Sequence, residues 1–286
     1  MTPRTMSLPD GRGLAWYEFG DPHGVPCLYI AGTPESGLAG GCYHPAAKEA
    51  GVRWISVDKP GYGRSDPCPR RTLAQWAADV EEFTAHLGLD RFAVAGESGG
   101  GPQALAVTHA MPGKVTVTVL LAAMGPGHEA WVRKGMRPTN VMFHYLARYL
   151  PVALRVPLAV MRQAVRMPVV SGWMSQGGPA ADRRAAAHPD YRIRHRAVPD
   201  AFRAGTRAAA DELRLLARPW GFDLADVTGP VHMWHGDEDV NVPITIARAM
   251  AAALPSCVPH FVSGAAHSVG FEQRAAVMAT IAGRTP

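Results

Sequence analysis

A serine framed by small residues is the first place where this chain could do chemistry. Gly96-Glu97-Ser98-Gly99-Gly100 lies between a run that reads as a strand and one that reads as a helix. A residue at the tip of so sharp a turn has strained backbone angles. Its neighbours two positions away must be small for the backbones to pass. The turn lifts the hydroxyl clear of the sheet and sets it before a helix N-terminus, where developing negative charge is favoured. A hydroxyl is a weak nucleophile at neutral pH and needs a base, itself oriented by a carboxylate. Both types stand later in the chain. His235-Gly236-Asp237-Glu238-Asp239-Val240-Asn241-Val242-Pro243 follows one apolar run, and His267, in Gly264-Ala265-Ala266-His267, follows the next. The order implies attack by Ser98, with His267 as base and an acid from the group Asp237, Glu238 and Asp239.

These residues can act together only if a scaffold brings them to one edge. Leu14–Phe19 reads as a strand, paired with Arg4–Leu8 across the turn Asp10-Gly11. Cys27–Ala31, Val52–Asp58, Phe92–Gly96 and Val115–Ala122 read as further strands. Helical runs lie between them, at about Tyr43–Ala50, at Thr72–Leu87 and at Gly100–Ala110. In Thr72–Leu87 the residues Leu73, Trp76, Val80, Phe83 and Leu87 recur at helical spacing, with Thr72 as N-cap and Gly88 as stop. This rhythm predicts an α/β fold: a mostly parallel, doubly wound sheet with helices on both faces. It breaks at about Pro126 and resumes after Trp220 with strand Val231–Trp234, helix Ile244–Leu254, strand Cys257–Val262 and helix Phe271–Ala282. Between the break and the resumption there is no strand signal. Helical stretches there are interrupted at Pro138, Pro151, Pro157, Pro168, Pro179 and Pro189. The expected organisation is a core of residues 1–125 and 221–286, with a helical cap inserted at 126–220.

With Ser98, an acid and His267 in that order on such a scaffold, the whole chain resembles an α/β-hydrolase-fold enzyme with an inserted cap. Val57-Asp58-Lys59-Pro60-Gly61-Tyr62-Gly63-Arg64-Ser65-Asp66 is similar to the family's D-x-P-G-x-G-x-S loop. Ala31-Gly32-Thr33-Pro34-Glu35-Ser36 is similar to its H-G-x-P loop. Related sequences carry the acid in G-x-x-D-x-x-V-P, which implies Asp239 over Asp237 and Glu238. The resemblance also implies an oxyanion hole made by the backbone N–H groups of Thr33 and Gly99. Loss of one such donor typically costs about 10²–10³ in rate. Ala31 stands where the family has a histidine whose side chain braces that loop.

What the resemblance implies is a cofactor-independent serine hydrolase of carboxylic esters, lactones or thioesters, acting through an acyl-enzyme on Ser98. Relatives use the same triad for C–C bond hydrolysis, peracid formation, cyclisation or acyl transfer. In this chain Thr33-Pro34-Glu35 replaces the Gly-rich oxyanion loop usual in the C–C hydrolases. A ligand receptor of this fold is a third reading. No metal or cofactor is expected. His232 and His235 are poorly spaced on a strand for a shared ion, and Gly99-Gly100-Gly101 precedes no Lys-Ser/Thr. Cys27, Cys42, Cys68 and Cys257 lack C-x-x-C spacing and imply no disulfide framework. Cys27 and Cys257 are expected as small core residues.

Of the 286 residues, 47% are hydrophobic and 19% charged, which excludes a disordered chain. No apolar run approaches the roughly 20 residues of a membrane span. Met1–Asp10 lacks the apolar stretch of a signal peptide, so a cytoplasmic protein is expected. The formal charge of +5 is unevenly placed. Between Pro126 and Trp220 there are 16 Arg or Lys against six Asp or Glu, a balance of +10, and the rest of the chain carries −5. The basic surplus therefore belongs to the expected cap, which speaks against a nucleic-acid partner. The cap should roof a pocket over Ser98 and select a small-molecule substrate. Val141, Met142, Phe143, Tyr145, Leu146, Leu158, Val160 and Met161, with Trp131 and Trp173, suggest a hydrophobic or aromatic substrate. At most one or two cap arginines are expected to meet it. His128, His144, His188 and His195 are expected as surface or packing residues. No signal of oligomeric state is present.

Overall fold

In a computed structural model that describes residues 2–167 and 178–284, the apolar runs pair into a single eight-stranded sheet. Its strands are β1 (Arg4–Ser7), β2 (Gly13–Gly20), β3 (Val25–Ile30), β4 (Val52–Val57), β5 (Phe92–Glu97), β6 (Val115–Leu121), β7 (Val231–Gly236) and β8 (Cys257–Val262). They lie in the order β1-β2-β4-β3-β5-β6-β7-β8. The β1–β2 and β2–β4 pairs are antiparallel, and every later pair is parallel. This is the mostly parallel, doubly wound α/β sheet expected from the sequence. β5 is buried at all six residues, as a strand covered on both faces must be.

Helices cover both faces. On one side α2 (Leu73–His86) and α3 (Gly101–Ala110) pack with the helix Ile244–Ala253 over Leu28, Ile30, Val94 and Leu120. On the other, α1 (His44–Ala50) and the helix Arg274–Ile281 pack over Tyr29, Trp54 and Val119. α2 starts at a reciprocal capping box: Thr72 Oγ1 accepts from the Gln75 N–H at 3.1 Å, and Gln75 Oε1 accepts from the Thr72 N–H at 2.9 Å. Gly88 then adopts φ 66° where the helix stops.

Some boundaries differ from the sequence reading. A 3₁₀ turn, Gly37–Tyr43, precedes α1, since its Gly- and Ala-rich run carries no helical period to read. β7 continues through His235 and Gly236, which stay in register with Phe261 and Val262 of β8. The last helical run divides at Gln273 into Val269–Glu272 and Arg274–Ile281. Cys27 is fully buried, whereas Cys257 opens an edge strand and packs against the core only partly buried.

Between β6 and β7 the described residues form helices and no strand. They include α4 (Pro138–Tyr149), α5 (Arg155–Ala164) and the helices Ala180–Ala187, Arg194–Ala201 and Arg207–Leu216. α4 and α5 both pack on Arg207–Leu216. Leu154, Leu158, Phe202 and Ala209 build an apolar cluster of their own, and Tyr62, from the loop after β4, enters it from the core side. Trp173 and Pro168 lie outside the described residues. No helix among the described residues is long and apolar enough to cross a membrane.

Candidate active site

Ser98 stands where β5 ends. A 3₁₀ turn, Ser98–Gly100, carries the chain straight into α3. Ser98 has φ 52°, in the left-handed region that costs a residue with a Cβ. The turn closes only because its flanks are glycine. A Cβ at Gly96 would lie 2.8 Å from the Ala104 Cβ, and one at Gly100 would collide with the Ile30 carbonyl of β3. The strained serine is therefore held on the wall of a cavity of about 380 Å³.

His267 lines the same cavity. Its Nδ1 lies 2.8 Å from Asp239 Oδ2. A carboxylate can only accept, so Nδ1 donates and Nε2 is left on the far side of the ring. Asp239 is buried just beyond β7 and is itself held firmly. Its Oδ1 accepts from the backbone N–H groups of Asn241 at 2.8 Å and Val242 at 2.9 Å. The neighbouring Asp237 and Glu238 are exposed, and Asp237 accepts from the Gly264 N–H instead. His235 braces the same turn, with Nε2 donating to the Val242 carbonyl at 2.7 Å.

The pair is strongly coupled. Burial opposes ionisation of Asp239, but His267 and the donors around it hold its carboxyl below the usual value. Burial likewise disfavours the charged imidazole, yet Asp239 outweighs it and lifts the His267 pKa to about 9. Among the described residues no hydrogen bond joins Ser98 to His267. Contacts of this kind are often loose before substrate binds.

Thr33 and Gly99 come together beside Ser98. A Cβ on Gly99 would strike the Thr33 side chain, and one on Gly32 would lie 3.4 Å from the Ser98 Cβ. The Thr33 N–H has no hydrogen-bond partner among the described residues. Gly99 lies in the first turn of the helical segment, where N–H groups lack intrahelical acceptors. Two N–H donors beside a serine are what a developing oxyanion requires.

The cavity is mainly apolar. Phe143, Leu158 and Met161 line it as expected, joined by Met124, Leu213 and Leu216. Met142, Tyr145, Val160 and Trp131 are instead substantially exposed. They belong to the outer side of α4, α5 and their approach, which helical spacing alone could not separate from the inner side. Arg194 lines the cavity, but its guanidinium is already matched. Nε donates to Glu35 Oε1 at 2.9 Å, and Nη1 to Glu97 Oε1 at 2.6 Å. His144 also lines the cavity. Burial, then Arg133 and Arg148, hold its pKa below the ordinary histidine value.

Sequence reading missed the ionic partners around the site. Lys59, Glu212, Arg194, Glu35 and Glu97 are all buried or nearly so, yet none stands in a motif that announces an ion pair. The one available signal was Lys59 in the Asp58-Lys59-Pro60-Gly61 turn that directly follows a buried strand.

A sheet of this order, with a strained serine at the end of β5 and a histidine–carboxylate pair beyond β7 and β8, defines an α/β-hydrolase architecture. The sequence model described as the alpha/beta hydrolase family matches residues 22–280, and the chain belongs to that family. That membership supports hydrolase activity. The chain is 33% identical over 126 residues to a probable proline iminopeptidase of Streptomyces coelicolor, covering 40% of this chain and 38% of that protein. It therefore spans well under half the length of that relative. It is 27% identical to a non-heme chloroperoxidase of Streptomyces lividans over 252 residues, 87% of either chain. An esterase of Exiguobacterium antarcticum shares the fold with a TM-score of 0.70 at 18% identity, over 99% of this chain and 98% of that one.

Proposed function

We propose that this hydrolase cleaves a carboxylic ester, lactone or thioester of an uncharged, hydrophobic small molecule through an acyl-enzyme on Ser98. The observation that carries this reading is the 2.8 Å contact between His267 and the buried Asp239, with His267 and Ser98 on one cavity wall. Ser98 Oγ attacks the carbonyl carbon as neutral His267 takes its proton at Nε2, and Asp239 stabilises the imidazolium. The carbonyl oxygen gathers negative charge facing the N–H groups of Thr33 and Gly99. Collapse of the intermediate expels the alcohol or thiol, which receives the proton from His267. Water, deprotonated by the same ring, then attacks the acyl-enzyme and frees Ser98 and the carboxylic acid. Every proton moves between Ser98, His267, water and substrate.

Helices of residues 126–220 act as a cap whose inner residues, Phe143, Leu158, Met161 and Leu213 among them, receive the apolar part of the substrate. Proline iminopeptidase activity, named for several relatives, is less well supported. A charged amine beside the scissile bond needs a free carboxylate, and Glu35 at the cavity is paired with Arg194.

p-Nitrophenyl esters of increasing acyl length test the proposal. Purified protein should release nitrophenol, most efficiently from medium apolar chains, and Ser98→Ala should not. Equal turnover by Ser98→Ala would overturn the assignment.

A further inference from the structure

Glu212 lies in the helix Arg207–Leu216, fully buried, and belongs to the segment between β6 and β7 rather than to the sheet. Its carboxylate gathers donors from three other parts of the chain. Oε2 accepts from Thr33 Oγ1 at 2.7 Å and from the Tyr62 hydroxyl at 2.6 Å. Oε1 accepts from Gln103 Nε2 at 2.7 Å and pairs with Lys59 Nζ at 2.8 Å. Arg71 Nη2 stands 3.5 Å from the same oxygen.

These partners reach back to the backbone beside Ser98. Lys59 Nζ donates to the carbonyls of Ala31 at 3.0 Å and Gly32 at 2.9 Å, the two residues before Thr33. Gln103 Nε2 also donates to the Gly99 carbonyl at 3.2 Å. One buried carboxylate is therefore within one or two hydrogen bonds of both segments that carry Thr33 and Gly99. Ala31 carries only a methyl group, with no polar atom to fix the loop itself. A sealed ion pair is seldom more stabilising than apolar packing of the same volume, so its placement here calls for a role beyond stability.

We propose that Glu212, acting through Lys59, Thr33 and Gln103, is a positioning residue that sets the two backbone N–H donors beside Ser98 at the spacing an oxyanion needs. The role rests on the acyl-enzyme reading above, and it deepens it. The helical segment does more than roof the cavity, because one of its side chains completes the geometry of the reacting centre. Glu212 touches no reacting atom. Its removal should leave ground-state binding in the apolar cavity intact while loosening the contacts made only as charge develops.

The test compares wild type, Glu212→Gln and Thr33→Val on a p-nitrophenyl ester, and measures affinity for phenylboronic acid. The boronate's tetrahedral adduct on the serine reads the donors directly. Glu212→Gln should lower kcat about 10- to 100-fold with KM within about threefold, and weaken boronate binding by a similar factor. Thr33→Val keeps the backbone N–H and every buried charge and loses one hydroxyl contact. It should lose about tenfold in kcat, which keeps the proposal open to test if Glu212→Gln does not fold. Folded variants with wild-type kcat and boronate affinity overturn the positioning role and leave the triad standing. So does a loss confined to KM. Wild-type protein that neither hydrolyses the ester nor binds the boronate overturns the acyl-enzyme reading as well.

Discussion

Asp239 and Glu212 are both carboxylates buried against a nitrogen partner, and they differ in what lies beyond that partner. Beyond Asp239 is an imidazole whose side chain keeps 23% of its surface exposed, on the wall of a cavity of about 380 Å³. Beyond Glu212 is an ammonium with none, closed in by the Ala31 and Gly32 carbonyls. Under the proposed mechanism the first arrangement passes a proton to the substrate in the cavity. The second can pass nothing and can only hold shape. Burial opposes charge on both members of the sealed pair. It pulls the Lys59 ammonium below its ordinary value, whereas the donors facing Glu212 outweigh burial and hold that carboxyl low. In the proposed mechanism the same pairing of buried carboxylate and nitrogen is a proton relay where one face is open and a brace where none is.

The contrast breaks most visibly if the open pair is dispensable. Ser98→Ala should cost at least about 10⁴ in kcat/KM, since it removes the nucleophile itself. Asp239→Asn should follow at about 10³–10⁴, because the amide selects the wrong imidazole tautomer. This variant should also alter the pH profile. With the His267 pKa lifted to about 9, wild-type kcat/KM should rise with pH along a limb near that value, as the ring becomes neutral. Without the carboxylate, the limb should fall toward the ordinary histidine range. A wild-type limb already in that range would show that Asp239 does not control the ring.

Glu212→Gln comes next, with the kcat loss described above and no displacement of the pH limb, since Glu212 has no contact with His267. A limb that moved with Glu212 would merge the two carboxylates into one network and end the distinction. Smaller again is Phe143→Ala. Trimming the cavity wall should raise KM for long acyl chains about three- to tenfold and leave acetate nearly unchanged.

Stability carries a further, opposite sign. His267 has a folded pKa of about 9, above the value of 6.5 for a free ring. Its contact with Asp239 therefore contributes fully below pH 6.5 and fades as pH rises through 9. Activity should rise over the interval in which that contribution is lost. Thermal denaturation of wild type and Asp239→Asn across this range should show their difference in Tm shrinking with pH. A difference that grows with pH would reverse the assignment.

What could be read without coordinates was governed by local constraint. Gly96-Glu97-Ser98-Gly99-Gly100 was legible because a strained turn dictates small residues at fixed offsets, and the structure bears out the strain at Ser98. The strand and helix rhythm was legible because burial imposes a period, as in α2 from Leu73 to Phe83. Asp239 needed a likeness to relatives, since Asp237 and Glu238 are carboxylates of the same turn, and exposure separates them once the turn is folded. The Glu212 node was hardly legible: Lys59 hinted at a buried charge, and nothing pointed to its partner. Lys59 is 153 residues from Glu212 and Glu35 is 159 from Arg194, and no periodicity links positions so far apart. The +10 balance between Pro126 and Trp220 pointed toward arginines as the feature to watch. Yet two buried contacts across that boundary centre on one arginine and one glutamate, each matched by partners from the sheet side.

Covalent capture of the nucleophile bears most directly on the account. Protein treated with a fluorophosphonate and digested should carry one phosphonyl group, mapped by mass to Ser98, and the label should be blocked by prior binding of phenylboronic acid. Folded protein that stays unmodified at Ser98, or takes the label elsewhere, would contradict the acyl-enzyme mechanism.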